Sequence, residues 1–265
     1  MPEGDTVHKI AAYLAPRFVG RAIERIELRD AGVARALAGR RITAVFARGK
    51  HLFVVIDDEC AIRSHLGMHG SWHRYAPGET WQKPRARASV VLGLAGEDYV
   101  CFNAMEVELV EHESVRERIV HGRLGPDLIA DVVDTDAIVA RARDFLEPGS
   151  LLADVLLDQR VASGIGNVYK SEVLFIERLL PQIELGATPD AVLAACYRSA
   201  AELLRRNLGR GPRVTRFERD GAGRSWAYGR DGRPCLRCEG RIETARLGRH
   251  QRSTYWCRGC QFAAP

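Results

Sequence analysis

The two ends of this 265-residue chain carry residue types that can do chemistry. The first end reads Met1-Pro2-Glu3-Gly4. Removal of the initiator methionine would leave Pro2 as a secondary amine at the N-terminus. An α-amino group has a pKa of roughly 7.7–8.0, so an appreciable fraction is neutral near pH 7. Such an amine attacking a sugar C1′ would form a cationic iminium, an electron sink that acidifies the C2′ proton and favours phosphate loss. Glu3 stands beside it as an acid or base. Proline at position 2 is common, so this pair gains meaning only from what accompanies it.

The second end reads Cys235-x2-Cys238-x18-Cys257-x2-Cys260. Paired knuckles at this spacing predict one tetrahedral zinc ion per chain. Four thiolates close its coordination shell, so the metal is expected to be structural, and no catalytic metal is expected. Arg241, Arg246, Arg249, His250 and Arg252 lie between the knuckles, where a two-stranded hairpin would suit a DNA groove or backbone. Cys60, Cys101 and Cys196 are scattered and read as small buried hydrophobes.

Three inner segments are weaker signals. Gly164-Ile165-Gly166-Asn167 is a glycine turn before a helix, able to bring backbone N–H groups close to a phosphate, or a plain interhelical turn. Lys50, in Arg48-Gly49-Lys50-His51, sits at a tight turn where it could reach a phosphate or simply be solvated. His65-Leu66-Gly67-Met68 carries a methionine that either packs in a core or acts as an apolar wedge in a base stack.

These residues need elements to hold them. A content of 46% hydrophobic and 28% charged residues suits a soluble globular protein, and the length suits two domains. No apolar run approaches the ~20 residues of a membrane helix, and the N-terminus lacks a signal-peptide pattern, so a cytoplasmic location is expected. Between Arg205 and Arg258 there are 15 arginines against 5 acidic residues, while the rest of the chain is acidic on balance. That asymmetry is the footprint of phosphate binding, or an arginine-biased surface in a chain with 4 lysines.

Val7, Ile10, Ala11 and Leu14 predict a helix capped by Asp5 or Thr6 and ending near Pro16 and Gly20. Strands are predicted over 22–28, 42–48, 52–57, 61–66, 88–94 and 99–103. Helices are predicted over 136–146, 151–157, 168–179 and 189–208, followed by a glycine- and arginine-rich loop over 209–224. The fold class is therefore α+β. The domains are expected at 1–126 (antiparallel β with a leading helix), 127–225 (helical) and 226–265 (zinc finger).

Taken in order, Pro2-Glu3-Gly4, Arg48-Gly49-Lys50, His65-Leu66-Gly67-Met68, Asp158-Gln159-Arg160, Gly164 to Tyr169 and the hairpin from Trp226 to Gln261 resemble the formamidopyrimidine-DNA glycosylase / endonuclease VIII family. Pro2-Glu3-Gly4 looks more like the endonuclease VIII branch. The resemblance implies a β-sandwich with a leading helix, a helix–two-turn–helix domain and a zinc finger. It implies a monomeric enzyme on double-stranded damaged DNA, associated with the nucleoid, that removes oxidised bases and cleaves by β,δ-elimination. By resemblance Pro2 is the nucleophile, Glu3 the acid/base and Lys50 a member of the catalytic group. Lys50, His65, Asn167 and Arg252 fall on positions that grip phosphates, and Met68 on one that fills the vacated stack.

Two departures stand out. Asp5-Thr6 replaces the family's second Pro-Glu, and Phe102 to Leu109 holds no Arg-Phe pair for the opposite-strand void. Oxidised pyrimidines are the expected substrates. The alternatives are an oxidised-purine glycosylase and a catalytically silent damaged-DNA-binding protein of the same fold. A zinc-ribbon factor would explain the cysteines and charge but not the ordered motifs.

Overall fold

The computed structural model describes residues 1–29, 37–111 and 124–262. The chain forms two compact units, Met1–His121 and Gly122–Pro265. The first opens with helix α1 (Gly4–Phe18). Its apolar stripe of Val7, Ala11, Leu14 and Phe18 is buried, as the 3.6-residue period requires. Glu3, with extended backbone, caps it, and its carbonyl accepts from the N–H groups of Thr6 and Val7 at 3.0 and 3.1 Å. The cap is thus neither Asp5 nor Thr6 as expected. Asp5 is buried inside the first turn, and Pro16 lies within the last turn.

Among the described residues eight strands follow, β1 (Arg25–Leu28), β2 (Ile42–Arg48), β3 (His51–Ile56), β4 (Cys60–His65), β5 (Ser71–Tyr75), β6 (Ala88–Leu94), β7 (Glu97–Phe102) and β8 (Glu106–Glu111). They make two antiparallel four-stranded sheets, in the orders β1-β6-β7-β5 and β2-β3-β4-β8. Alternation along β3 shows how the layers form. Leu52, Val54 and Ile56 pack with Val90, Leu92 and Cys101 of the other sheet and with the α1 stripe, while Phe53 and Val55 face outward with Ala61 and Val110. The core therefore holds α1, and the chain's first residues, against the sandwich. β5 and β8 were not among the expected strands. The short helix expected over 151–157 is a single turn.

The second unit holds α2 (Thr135–Phe145), α3 (Leu152–Val155), α4 (Asn167–Ile176) and α5 (Asp190–Arg206), then the hairpin β9 (Ile242–Leu247) and β10 (Arg252–Cys257). Asp134 caps α2 by accepting from the N–H groups of Asp136 and Ala137. Ile138, Val155, Tyr169, Val173, Leu193 and Tyr197 belong to one buried cluster. No described helix is long and apolar enough to cross a membrane.

Candidate functional site

In the first unit, Pro2 is half-buried at the head of α1, and the Glu3 side chain beside it is fully buried. Thr6 lines a cavity of about 200 Å³ with Lys9, Ile10, Tyr13, Leu14, Trp72 and His73. Asp5 is not among that lining. It turns inward, accepts from the Thr6 hydroxyl at 3.4 Å and lies 3.8 Å from the Lys9 ammonium. The helix phase thus separates Asp5 from the position that Thr6 occupies.

Lys50 and His65 are brought together on the sheet β2-β3-β4-β8. Gly49, at φ +54°, closes the β2–β3 turn in a conformation that side chains disfavour, so Lys50 projects from a tight corner. Strand register then aligns Arg48 with His51, His51 with His65, and His65 with Glu106. The two imidazoles lie 4.9 Å apart. Arg63 donates to His51 Nδ1 at 3.2 Å and pairs with Glu106 and Glu108 at 3.1 and 2.8 Å. A guanidinium only donates, so Nδ1 of His51 accepts and its proton is on Nε2.

Burial, then the neighbouring His65, Arg63 and Lys50, lower the His51 pKa to about 3. Burial and Lys50 lower that of His65, while Glu106 pulls the other way. Both rings are therefore neutral near pH 7, and the buried Nδ1 of His65 has no hydrogen-bond partner among the described residues. Each histidine is easier to protonate in the unfolded chain than in the folded one. The stability contributed by His51 is present above about 6.5 and is lost as pH falls toward about 3, and that of His65 is lost in the same direction. His51→Asn should flatten that part of the stability curve, measured by denaturant titration at stepped pH. Wild-type and variant curves that run parallel would contradict the assignment.

Met68 stands exposed at the tip of the β4–β5 turn. That turn needs two glycines. Gly67 lies at φ +61°, and a Cβ at Gly70 would collide with the Leu66 backbone. Met105, also exposed, lies against the same turn from the β7–β8 connection, close enough that a Cβ at Gly67 would meet the Met105 Cβ at 2.8 Å. The motif reading missed Met105 because it looked there for an Arg-Phe pair. No residue pattern in that segment marks it, and only the structure shows its exposure and its place against Gly67.

In the second unit, Asn167 begins α4 and is buried. The turn before it is latched by Gln159, whose amide donates to the carbonyls of Leu157 and Ile165 at 2.7 and 3.1 Å and accepts from Gly164 N–H at 3.2 Å. Gly164 sits at φ +119°, which requires glycine. The Asp158-Gln159-Arg160 motif thus serves the glycine turn. Asn167 Nδ2 donates to the Ser253 carbonyl at 2.7 Å, which ties the turn to β10 one residue beyond the exposed Arg252.

The hairpin is fixed at further points. Glu172 accepts from the N–H groups of Trp226, Ala227 and Tyr228. Arg249 N–H donates to Asp154 at 2.8 Å. At Gly248, φ is +69° and a Cβ would fall on the Asp154 carboxylate. Gly248→Ala should therefore cost about 2 kcal/mol or more of stability. Thermal unfolding of the variant checks this, and an unchanged melting temperature would contradict the contact.

The sulfurs of Cys235, Cys238, Cys257 and Cys260 all lie within 4.8 Å of one another. Two of the separations are 3.6 Å (Cys235–Cys260) and 3.5 Å (Cys238–Cys257). A tetrahedral ion with metal–sulfur bonds of roughly 2.3 Å needs sulfur–sulfur edges of roughly 3.8 Å, so the cluster fits a metal ion. A Cβ at Gly259 would press on the Cys238 sulfur at 2.9 Å, which explains the glycine in the second knuckle. Cys101 and Cys196 are fully buried thiols, each pushed up to about 12 by burial.

Residues 1–106 match the family described as formamidopyrimidine-DNA glycosylase N-terminal domain. Over 268 residues the chain is 37% identical to probable endonuclease 8 2 of Streptomyces coelicolor, covering 98% of this chain and 94% of that protein. It is 35% identical to the DNA-(apurinic or apyrimidinic site) lyase Nei2 of Mycolicibacterium smegmatis, over all of both chains. Its fold is similar to that of Lactococcus lactis formamidopyrimidine-DNA glycosylase non-covalently bound to DNA containing an AP site, with a TM-score of 0.82, 22% identity, and coverage of 98% and 99% of the two chains. With end-to-end identity of this order and the ordered motifs now placed on the fold, the chain belongs to the formamidopyrimidine-DNA glycosylase / endonuclease VIII family, in its endonuclease VIII-like branch.

Proposed function

We propose that the protein is a bifunctional DNA glycosylase and abasic-site lyase of base excision repair, with oxidised pyrimidines as preferred lesions. The observation that carries this reading is the fully buried Glu3 carboxyl next to Pro2, at the head of a helix held by the core. Relatives named endonuclease 8 and abasic-site lyase support it.

Once Met1 is removed, the Pro2 nitrogen attacks C1′ of the damaged nucleotide. Glu3 delivers a proton to the ring oxygen as the C1′–O4′ bond opens, the N-glycosidic electrons leave with the base, and the proton given up by the Pro2 nitrogen neutralises that base while the freed lone pair closes the iminium. The iminium that remains acidifies C2′. Loss of that proton expels the 3′ phosphate, and a second elimination expels the 5′ phosphate. Lys50 joins Pro2 and Glu3 in the catalytic group. Lys50, His65, Asn167 and Arg252 hold phosphates around the everted nucleotide, which costs a few kcal/mol to flip. Met68, with Met105 against the same turn, supplies the apolar wedge that replaces the missing base. Methionine offers no strong hydrogen-bond donor, so discrimination of the opposite base should be weak.

A structural zinc ion on the four cysteines would stabilise the hairpin that presents Arg252, and the chemistry lies with the protein's own groups. We assign residues 1–126 to the catalytic domain, 127–225 to the helical DNA-binding domain and 226–265 to the zinc finger. The protein would act as a monomer on double-stranded DNA, in the cytoplasm at the nucleoid.

A panel of single-lesion duplexes, each with all four opposite bases, tests the reading. Excision of oxidised pyrimidines with little dependence on the opposite base is expected. Preference for 8-oxoguanine opposite cytosine would overturn both the lesion class and the wedge assignment. Lys50→Ala and Arg252→Ala should each weaken binding and reduce the salt slope of log K by about one. An unaltered slope counts against a phosphate contact.

A further inference from the structure

Helix α4 carries two fully buried charged side chains, Lys170 and Glu172. Glu172 fixes the entry to the hairpin, as described above. Lys170 faces other partners. Its ammonium donates to Asn167 Oδ1 at 2.6 Å, to Thr254 Oγ1 at 2.7 Å and to the Ser253 carbonyl at 3.3 Å. Asn167 Nδ2 donates to that same carbonyl at 2.7 Å. Lysine, asparagine and the β10 backbone therefore close one ring of hydrogen bonds.

This ring decides which way the Asn167 amide points. An ammonium donates and cannot accept, so Oδ1 must face Lys170. Nδ2 must then face Ser253, and one of its two protons is spent there. A flipped amide would set Nδ2 against the ammonium, donor to donor, and Oδ1 against the Ser253 carbonyl, acceptor to acceptor. With an apolar side chain at position 170, half of that penalty disappears. A flipped Asn167 would also present an oxygen where a phosphate needs a donor.

We propose that Lys170 is a positioning residue for DNA phosphate. It holds Asn167 with its donor outward and ties it to the β10 segment that follows Arg252, so that the two groups approach the backbone in fixed register. The inference rests on the reading of Asn167 as a phosphate contact.

The test is a double-mutant cycle on the zinc-loaded protein, using a duplex with a tetrahydrofuran abasic analogue and fluorescence anisotropy. Lys170→Met should weaken binding about 10-fold, the scale of a charge-assisted hydrogen bond. Asn167→Ala should lose a similar factor, and the double variant should be no weaker than Asn167→Ala alone. Lys170→Gln, which keeps a donor, should recover part of the loss. Independent, multiplying losses would overturn the proposal, as would wild-type binding by Lys170→Met beside a weakened Asn167→Ala. Wild-type binding by Asn167→Ala would instead remove the phosphate reading and this inference with it. Should the Lys170 variants fail to fold, side-chain amide NMR of wild-type Asn167 decides. A fixed proton pair, with one member shifted on adding duplex, is expected, and a freely averaging pair would overturn the assignment.

Discussion

Glu3→Gln should slow base excision by roughly 10²–10⁴-fold, the usual contribution of a positioned general acid. Cleavage of a preformed abasic site should fall far less. The substitution is close to isosteric, and Glu3 caps α1 through its backbone carbonyl, which the change leaves in place. What it removes is the carboxyl that the proposed mechanism uses to deliver a proton, at a fully buried position beside Pro2. Excision needs that proton because the closed sugar ring must open as the base departs. A preformed abasic site already samples the open aldehyde, which a terminal amine attacks without help at the ring oxygen. Single-turnover rates on a lesion duplex and on an abasic duplex separate the two steps. Equal losses on both substrates, with unchanged thermal stability, would mean that Glu3 organises the terminus and does not deliver the proton at excision.

Cys257→Ala should have the largest effect on the second unit. The Cys257 sulfur lies in the four-cysteine cluster, and the residue is fully buried against Phe175, Ala227 and Ile242. Removal of one thiolate leaves three ligands, and apparent zinc affinities of about 10–16 kcal/mol in small zinc folds show how much folding energy such a site can supply. Cys257 also ends β10, the strand whose Ser253 and Thr254 receive Asn167 and Lys170. Metal content should fall from one zinc per chain to near zero, unfolding should begin at lower temperature, and affinity for abasic duplex should drop by about 100-fold or more as Arg252 and Asn167 lose their common support. Elemental analysis, thermal unfolding and anisotropy read the three together. Retained metal with normal binding would remove the hairpin from the DNA-binding account.

The periodic parts of the chain were legible from sequence. The α1 positions Val7, Ile10, Ala11 and Leu14 and the strands β2 and β6 follow from residue pattern alone, although the pairing of each strand carries one register shift that the pattern does not reveal. β5 was not legible, since Ser71-Trp72-His73-Arg74-Tyr75 mixes ring and charge and pairs with β7 alone in its sheet. β8 was hidden by its three glutamates, although Glu106-Val107-Glu108-Leu109 does alternate, and its Glu108 pairs with Arg63 on the neighbouring strand. The cap of α1 was misplaced because a buried aspartate and a capping aspartate look alike in sequence.

The same limit applies to the chemistry. The cysteine spacing announces its cluster, since metal geometry constrains local sequence. Lys170 and Glu172 do not announce their partners, which lie 84 residues away at Thr254 and 54 to 56 residues away at Trp226 to Tyr228. Two charges set among the apolar residues of that helix were the available hint. His51, likewise, gained its meaning only when register set it between Arg48 and His65.

The central claim is covalent catalysis by the N-terminal proline. Borohydride trapping on an abasic-site duplex, preceded by intact mass of the free protein, tests it most directly. The account predicts a chain lacking Met1 and a reduced adduct that peptide mapping places on Pro2. A correctly processed, zinc-loaded protein that forms no adduct, or one whose adduct maps to a lysine, would contradict it.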